Sequence, residues 1–174
     1  MDFYNLRIAD YKTKMKKSGM DTENAPFNLR TKDIRNGFIA YDLPAVEGYE
    51  EMAYYIPTAS NKFVALVSFG CGPECEASMP IFYEIDKGKL VETTQKYISE
   101  ATFAQIDEGM NAARTKIKLT DPENSLTRWV KVPQKGTTIQ IGFNENLGET
   151  NKFYVIYELV YDKKDAGFKL VKKQ

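Results

Sequence analysis

The stretch Phe63-Val64-Ala65-Leu66-Val67-Ser68-Phe69-Gly70-Cys71-Gly72-Pro73-Glu74-Cys75 contains the most apolar run of the chain and, directly after it, both cysteines. The apolar run predicts a strand over 62–69, which its hydrophobicity makes the candidate for the most buried strand of the molecule. The Gly72-Pro73 pair favours a reversal of the chain between the two thiols. This stretch therefore predicts a buried strand followed by a tight turn.

Further strands are predicted on both sides of this stretch, where short apolar segments end at proline, glycine or polar residues. They cover 37–43, 49–56, 80–86 and 89–92, and then 128–132, 137–143, 153–161 and 168–171. The gaps between successive strands are short, which favours antiparallel neighbours, because a parallel pair needs a crossover of a dozen or more residues. Residues 21–32 are polar and predict a linker.

Two helices are predicted from apolar residues that recur at spacings of three and four. The first covers 2–17 and ends at Ser18-Gly19, and its apolar face consists of Tyr4, Ile8, Tyr11 and Met15. The second covers 99–116, where Gly109 costs about 1 kcal/mol relative to alanine. Its apolar stripe consists of Phe103, Ile106, Met110, Ala113 and Ile117.

These elements predict an α+β fold of antiparallel β-meanders, with an N-terminal helix and one helix near residues 99–116. We predict a single domain over residues 1–174, with sub-lobes 33–94 and 126–173 joined by a helical segment 95–120. The lobes end in similar hairpins, since residues 82–85 and 89–91 resemble residues 156–159 and 169–171. This similarity has two alternative explanations. One is duplication of a meander, and the other is chance in a chain rich in tyrosine and lysine.

The composition excludes several classes of function. The 24 basic and 24 acidic residues cancel, so no overall field draws the protein to nucleic acid. The sequence has no histidine, which excludes Ser-His-Asp and Cys-His nucleophiles and imidazole-ligated zinc. No apolar run reaches the roughly 18 residues of a membrane-spanning helix. We expect no cofactor, no metal site, no nucleic-acid partner and no membrane span.

Cys71 and Cys75 have three candidate uses. The strand followed by Cys-Gly-Pro-x-Cys resembles the active-site stretch of thioredoxin-fold proteins, which implies a redox centre with a reactive first thiol. The chain departs from that pattern in three ways. It has three residues between the thiols instead of two, and no tryptophan precedes Cys71. The stretch after Pro80 predicts a strand where the thioredoxin fold has a long helix. The second use is half of a metal site with Glu74 or Glu76. The third is a disulfide that closes a five-residue loop and stabilises the fold by about 2 kcal/mol.

A wider resemblance covers roughly residues 33–94. Its pattern is Gly48-Tyr49-Glu50-Glu51-Met52-Ala53 followed by Phe69-Gly70-Cys71-Gly72-Pro73-Glu74-Cys75, and later by residues 82–83 and 87–90. This pattern resembles a family of small exported proteins and lipoproteins of Bacteroides-type bacteria. The resemblance implies a periplasmic or cell-surface location, a Cys71–Cys75 disulfide and an export signal absent from this sequence. It implies no reaction, and a cytoplasmic location is the alternative.

The leading hypothesis for function is an extracytoplasmic binding or interaction domain without catalytic activity. Its partner would be a protein, a glycan or a small molecule, and Tyr49, Tyr54 and Trp129 are the candidate binding surface. The alternative is a thiol-disulfide oxidoreductase that uses Cys71 and Cys75. A third hypothesis is a hydrolase with paired carboxylates among Glu47, Glu50 and Glu51.

Overall fold

The computed structural model describes residues 2–20, 22, 24–44, 46–57, 62–121, 124–146 and 151–173. It has an α+β fold of antiparallel sheets and helices, which confirms the predicted class. Its helices are α1 (Asp2–Lys17), α2 (Thr94–Tyr97) and α3 (Glu100–Arg114). None of the helices in this described part of the chain is long and apolar enough to cross a membrane.

The first sheet has seven antiparallel strands and occupies the first half of the chain. Its order is β1-β2-β3-β4-β6-β7, and the short β5 pairs only with the end of β4. The strands are β1 (Leu29–Asp33), β2 (Phe38–Asp42), β3 (Gly48–Tyr55), β4 (Phe63–Cys71), β5 (Cys75–Ala77), β6 (Ile81–Asp86) and β7 (Lys89–Glu92). The apolar stretch that begins at Phe63 forms β4, which lies between β3 and β6. Phe63–Val67 are all buried, as predicted for this strand.

The second sheet has four antiparallel strands in the order β11-β10-β9-β8. The strands are β8 (Leu126–Lys131), β9 (Thr138–Asn146), β10 (Asn151–Asp162) and β11 (Gly167–Lys172). Both sheets and α3 contribute to one large apolar core, which includes the fully buried Phe63, Phe82, Ile106, Ile139 and Leu159. The strands of the first sheet lie between Leu29 and Glu92, and those of the second lie between Leu126 and Lys172. The two sub-lobes and their origin by duplication stay predictions.

Three short elements were not predicted as separate elements, although α2 lies largely within the predicted helical segment 95–120. The strand β1 begins within the predicted linker 21–32, so that prediction is wrong over residues 29–32. Its side chains are mostly exposed and polar, and it is a strand because its backbone pairs with β2. The strand β5 and the helix α2 have only three and four residues, too few to show a periodicity.

Helix α1 covers the side of the first sheet that faces away from the large core. Phe3, Arg7 and Tyr11 are its buried residues, whereas Tyr4 and Ile8 are only partly buried. Phe3 forms a second, smaller core with Met52, Val64 and Leu66. The helix is thus confirmed, but the side that it buries is rotated by about one residue from the predicted one.

Helix α3 confirms the second predicted helix, and Ser99 is its N-cap, since the Ser99 hydroxyl accepts a hydrogen bond from the Thr102 backbone N–H. Ile106 and Met110 of the predicted stripe are buried. The structure also explains the glycine inside the helix. A Cβ at Gly109 would overlap the hydroxyl of Tyr157 and lie 2.7 Å from its Cζ, so a side chain has no room there.

Replacement of Gly109 by alanine should destabilise the protein by about 1–3 kcal/mol, although alanine is the better helix former. The reason is that Tyr157 is almost fully buried and cannot move its ring away without disturbing the core. Urea denaturation followed by circular dichroism measures the change. The matched control is Glu108→Ala on the exposed side of the same helix, which should change stability by less than about 0.5 kcal/mol. Equal or greater stability of Gly109→Ala would contradict the close packing.

Candidate functional site

A groove of about 600 Å³ opens where β2 and β3 of the first sheet meet β8, β9 and their connecting loop. Its lining combines aromatic, amide, hydroxyl and charged groups. The lining residues are Phe38, Glu51, Trp129, Lys131, Val132, Pro133, Gln134, Lys135, Thr138 and Gln140. A groove in which polar groups converge beside aromatic side chains is a candidate ligand site.

Glu51 is the unusual residue of this groove, because its side chain lies on the core side of β3. Alternation along the strand places it on the same side as Ala53 and Tyr55, both of which belong to the large core. Burial raises the pKa of the Glu51 carboxyl to about 7, against the lowering effect of the positive charges of Lys131 and Arg30. The carboxyl therefore changes its charge near neutral pH.

The other buried acids of the described residues are satisfied by protein groups. Glu50 is bound by Arg7, and Glu84 accepts hydrogen bonds from Lys96 and Tyr97. Burial would raise the pKa of the Glu145 carboxyl, but hydrogen bonds from Asn124, Tyr154 and Thr120 hold that pKa at about 2. None of the hydrogen bonds or ion pairs found among the described residues reaches the Glu51 carboxyl. Glu51 is thus a half-buried acid that faces open space.

Two lysines line the same groove. The Nζ of Lys131 lies 4.4 Å from the ring centroid of Phe153, a cation–π contact, and its charge also lowers the pKa of the Glu51 carboxyl. Neither Lys131 nor Lys135 takes part in an ion pair with the described residues. The groove therefore contains two cations and one titratable acid.

Trp129 supplies the aromatic surface of the groove. It is partly buried, and its ring packs against Phe69 with the two centroids 4.8 Å apart. It is also the single tryptophan of the sequence. Its fluorescence therefore reports directly on the groove.

Of the three aromatic residues predicted to form a binding surface, only Trp129 lines the groove. Tyr49 is buried and stacks on Phe69 at a centroid distance of 4.2 Å. Tyr54 lies on the other side of β3, where its ring meets Phe3 of α1 edge to face at 5.5 Å. The structure does not bring the three together, because Tyr49 and Tyr54 are an odd number of residues apart on one strand.

Cys71 and Cys75 form a disulfide across the hairpin between β4 and β5, with their Cα atoms 4.0 Å apart. Cys71 ends a strand and Cys75 begins one, so neither thiol lies at a helix N-terminus of the kind that activates thioredoxin-type cysteines. The hairpin instead joins the two sheets, because Arg128 of β8 donates a hydrogen bond of 3.0 Å to the carbonyl of Ala77 in β5.

The carboxylates considered for a hydrolase are not a pair. Glu50 lies beneath α1 on the opposite side of β3 from Glu51, and Glu47 lies exposed in the turn before the strand. The described part of the chain also contains no group of three or more Cys, Asp or Glu side chains placed to hold a metal ion.

Sequence reasoning missed most of the groove. Lys131, Lys135 and Gln140 carry no motif, because the groove exists only where the two sheets meet. Glu51 did leave a signal, since it is an acid at a position that alternates with Tyr49, Ala53 and Tyr55 in a predicted strand. An acid on the apolar side of a strand costs free energy unless it is paired, which marks it as a candidate for a functional site.

The chain matches no protein-family model, no curated protein and no solved structure. Its function is therefore inferred from the groove, the charges that line it and the disulfide. The family resemblance to exported proteins stays a prediction.

Proposed function

We propose that this protein is an extracytoplasmic binding domain without catalytic activity, and that the groove beside Glu51 is its binding site. The observation that carries the proposal is the Glu51 carboxyl, which is half-buried on the core side of a strand and has neither a hydrogen bond nor an ion pair with the described residues. Such a placement costs free energy in the unliganded fold, and a ligand that hydrogen-bonds to the carboxyl recovers it.

Binding is favoured over hydrolysis because Glu51 is the one acid among the described residues that line the groove. Hydrolysis by carboxylates normally requires two, one as acid and one as base or nucleophile. Aromatic and amide groups around a single acid are instead suited to holding a ligand by stacking and hydrogen bonds.

The disulfide supports the extracytoplasmic part of the proposal. Disulfides persist in oxidising compartments, whereas cytosolic thiols are kept reduced in most organisms. The Cys71–Cys75 bridge lies in a turn whose central residues are exposed to solvent, where cytosolic reductants would reach it.

The proposal is tested by mapping where small molecules bind to the full chain. A library of phenyl glycosides, aromatic acids and short peptides is screened by ¹H–¹⁵N NMR, and shifts are expected at Glu51, Trp129, Lys131 and Gln140. Glu51→Gln should change the affinity of the molecules that bind, whereas Glu108→Gln on the exposed side of α3 should not. Binding confined to other surfaces, or no binding by any class in the library, would overturn the proposal, as would turnover of nitrophenyl glycosides or esters.

A further inference from the structure

The residues that line the groove carry more positive than negative charge. Lys131 and Lys135 line it, and Arg30 of β1 is close enough for its charge to lower the pKa of the Glu51 carboxyl. Arg30 is already paired with Asp42, but the two lysines have no ion-pair partner among the described residues. With Glu51 ionised the lining carries one net positive charge, and with Glu51 protonated it carries two.

We propose that the groove binds a ring-containing ligand with one singly charged anionic group, a carboxylate or a sulfate ester, which the ammonium groups of Lys131 and Lys135 attract while its ring lies against Trp129. This inference rests on the groove being the binding site. It adds the chemical class of the ligand and a dependence of its binding on pH.

Charge complementarity favours an anion over a cation. A cationic ligand would pair with Glu51 but would meet Lys131 and Lys135 in the same groove, at an unfavourable Coulomb energy that the partial burial of the site increases. An anion gains attraction from both lysines and meets repulsion from Glu51 only while that acid is ionised. An uncharged ligand would gain no charge attraction from either ammonium group.

The ring requirement follows from Trp129. Its side chain lines the groove, is partly buried and packs against Phe69 with the two ring centroids 4.8 Å apart, a contact that restricts its movement. A rigid aromatic surface gains stacking and apolar contact at little cost in side-chain entropy. A groove of about 600 Å³ has room for one or two rings.

Glu51 makes the binding dependent on pH, because its pKa of about 7 lies within the physiological range. The charged or titratable groups around it are Arg30 with its partner Asp42, Lys131, and the buried phenol of Tyr49. Lys135 lines the same groove, and its charge lowers the pKa of Asp33, which accepts a hydrogen bond from Gln134. Burial raises the pKa of the Tyr49 phenol. Above pH 7 the ionised Glu51 repels an anion, and below pH 7 the protonated carboxyl donates a hydrogen bond to it. Affinity should therefore increase as the pH falls.

The test compares phenyl β-D-glucuronide and phenyl sulfate with the uncharged phenyl β-D-glucoside, using the full chain. Both anions keep one negative charge from pH 6 to pH 8, so a change in affinity over this range comes from the protein. Trp129 fluorescence and calorimetry measure binding at each pH. We expect at least one anion to bind about tenfold more tightly at pH 6 than at pH 8. With a pKa of about 7, the fraction of the protein in which Glu51 is protonated is about ten times larger at pH 6 than at pH 8.

Substitutions separate the effect of Glu51 on the pH dependence from the attraction of the anion by the two lysines. Glu51→Gln should keep the affinity seen at pH 6 and remove the dependence on pH, because glutamine donates a hydrogen bond at every pH. Lys131→Met and Lys135→Met should each weaken binding of the anion about twofold to fivefold, whereas Lys89→Met on β7 should leave it unchanged. Thermal denaturation confirms that each variant folds.

The outcomes distinguish this inference from the proposal on which it rests. If the glucoside binds as tightly as both anions and shifts Trp129 fluorescence equally, the anionic ligand is refuted and the groove remains the binding site. If anions bind with no dependence on pH, or the dependence survives in Glu51→Gln, the role given to Glu51 is refuted. If none of the three probes perturbs Trp129, the inference fails, and the NMR screen decides whether the groove binds any other class.

Discussion

Replacement of Arg7 by methionine should lower the free energy of unfolding by about 3–5 kcal/mol, because it leaves the buried carboxylate of Glu50 without its counter-charge. The Glu50 side chain is 1% exposed and that of Arg7 is 11% exposed, so water cannot replace the lost partner. Methionine keeps most of the volume of the arginine side chain. The loss therefore measures the charge and hydrogen bonds rather than a cavity.

The network around Glu50 explains the size of this effect. Tyr41, Glu50 and Ser68 are direct cross-strand neighbours on β2, β3 and β4, and both hydroxyls donate to the Glu50 carboxylate. Arg7 completes the network from α1, with its Nε 3.0 Å from Glu50 Oε2 and a second N–H on Oε1. Although burial alone would lower the pKa of Arg7, its contacts with Glu50 raise that pKa above the ordinary value, so the guanidinium stays charged at every accessible pH.

Urea denaturation of the wild type, Arg7→Met, Glu50→Gln and the double variant measures this network. The double variant should be more stable than Arg7→Met, because a neutral amide is far cheaper to bury than an unpaired carboxylate. In thermal denaturation, Arg7→Met should lower the Tm by roughly 6–20 °C. Lys16→Met, on the exposed side of α1, is the matched control and should change stability by less than about 0.5 kcal/mol. A loss of under 1 kcal/mol in Arg7→Met would show that Glu50 is satisfied without arginine.

This network also shows why the buried side of α1 was predicted one residue out of phase. Apolar spacing selects Tyr4, Ile8, Tyr11 and Met15, and it treats arginine as a residue that faces water. In the structure Arg7 is buried, because its partner Glu50 is 43 residues away in sequence. No local pattern contains that information. The position of the helix could be predicted from the sequence, but the residues that it buries could not.

The central strands were predictable because their signal is local. The run from Phe63 to Phe69 is apolar enough to be buried wherever it pairs, and the turns that bound its neighbours are marked by proline and glycine. The strand β1 gave no such signal, since a polar edge strand is defined by backbone pairing with β2 rather than by burial. The same limit applies to the groove, whose lysines come from the end of β8 and its loop and meet Glu51 only after the sheets pack.

The Phe63→Ala substitution should cost about 3–5 kcal/mol, as is typical for the removal of a fully buried aromatic ring. Phe63 is the first residue of β4 and is 0% exposed. Its ring stacks on Tyr97 at 3.9 Å and on Tyr55 at 4.9 Å, and it meets Tyr161 edge to face at 5.5 Å. It therefore links the first sheet to α2 and to the second sheet, and its loss should weaken all of these contacts together.

Comparison of Phe63→Ala with Phe63→Leu separates apolar burial from ring geometry. Leucine keeps most of the buried volume but loses the ring pairs, each worth about 0.5–1.5 kcal/mol beyond burial. The leucine variant should therefore lose roughly 1–3 kcal/mol, less than the alanine variant, in the same urea denaturation experiment. Ile34→Ala is the control for removal of an apolar side chain that is 73% exposed, and it should have almost no effect. Equal losses for the leucine and alanine variants would mean that the rings, rather than the buried volume, hold the two sheets together at this point.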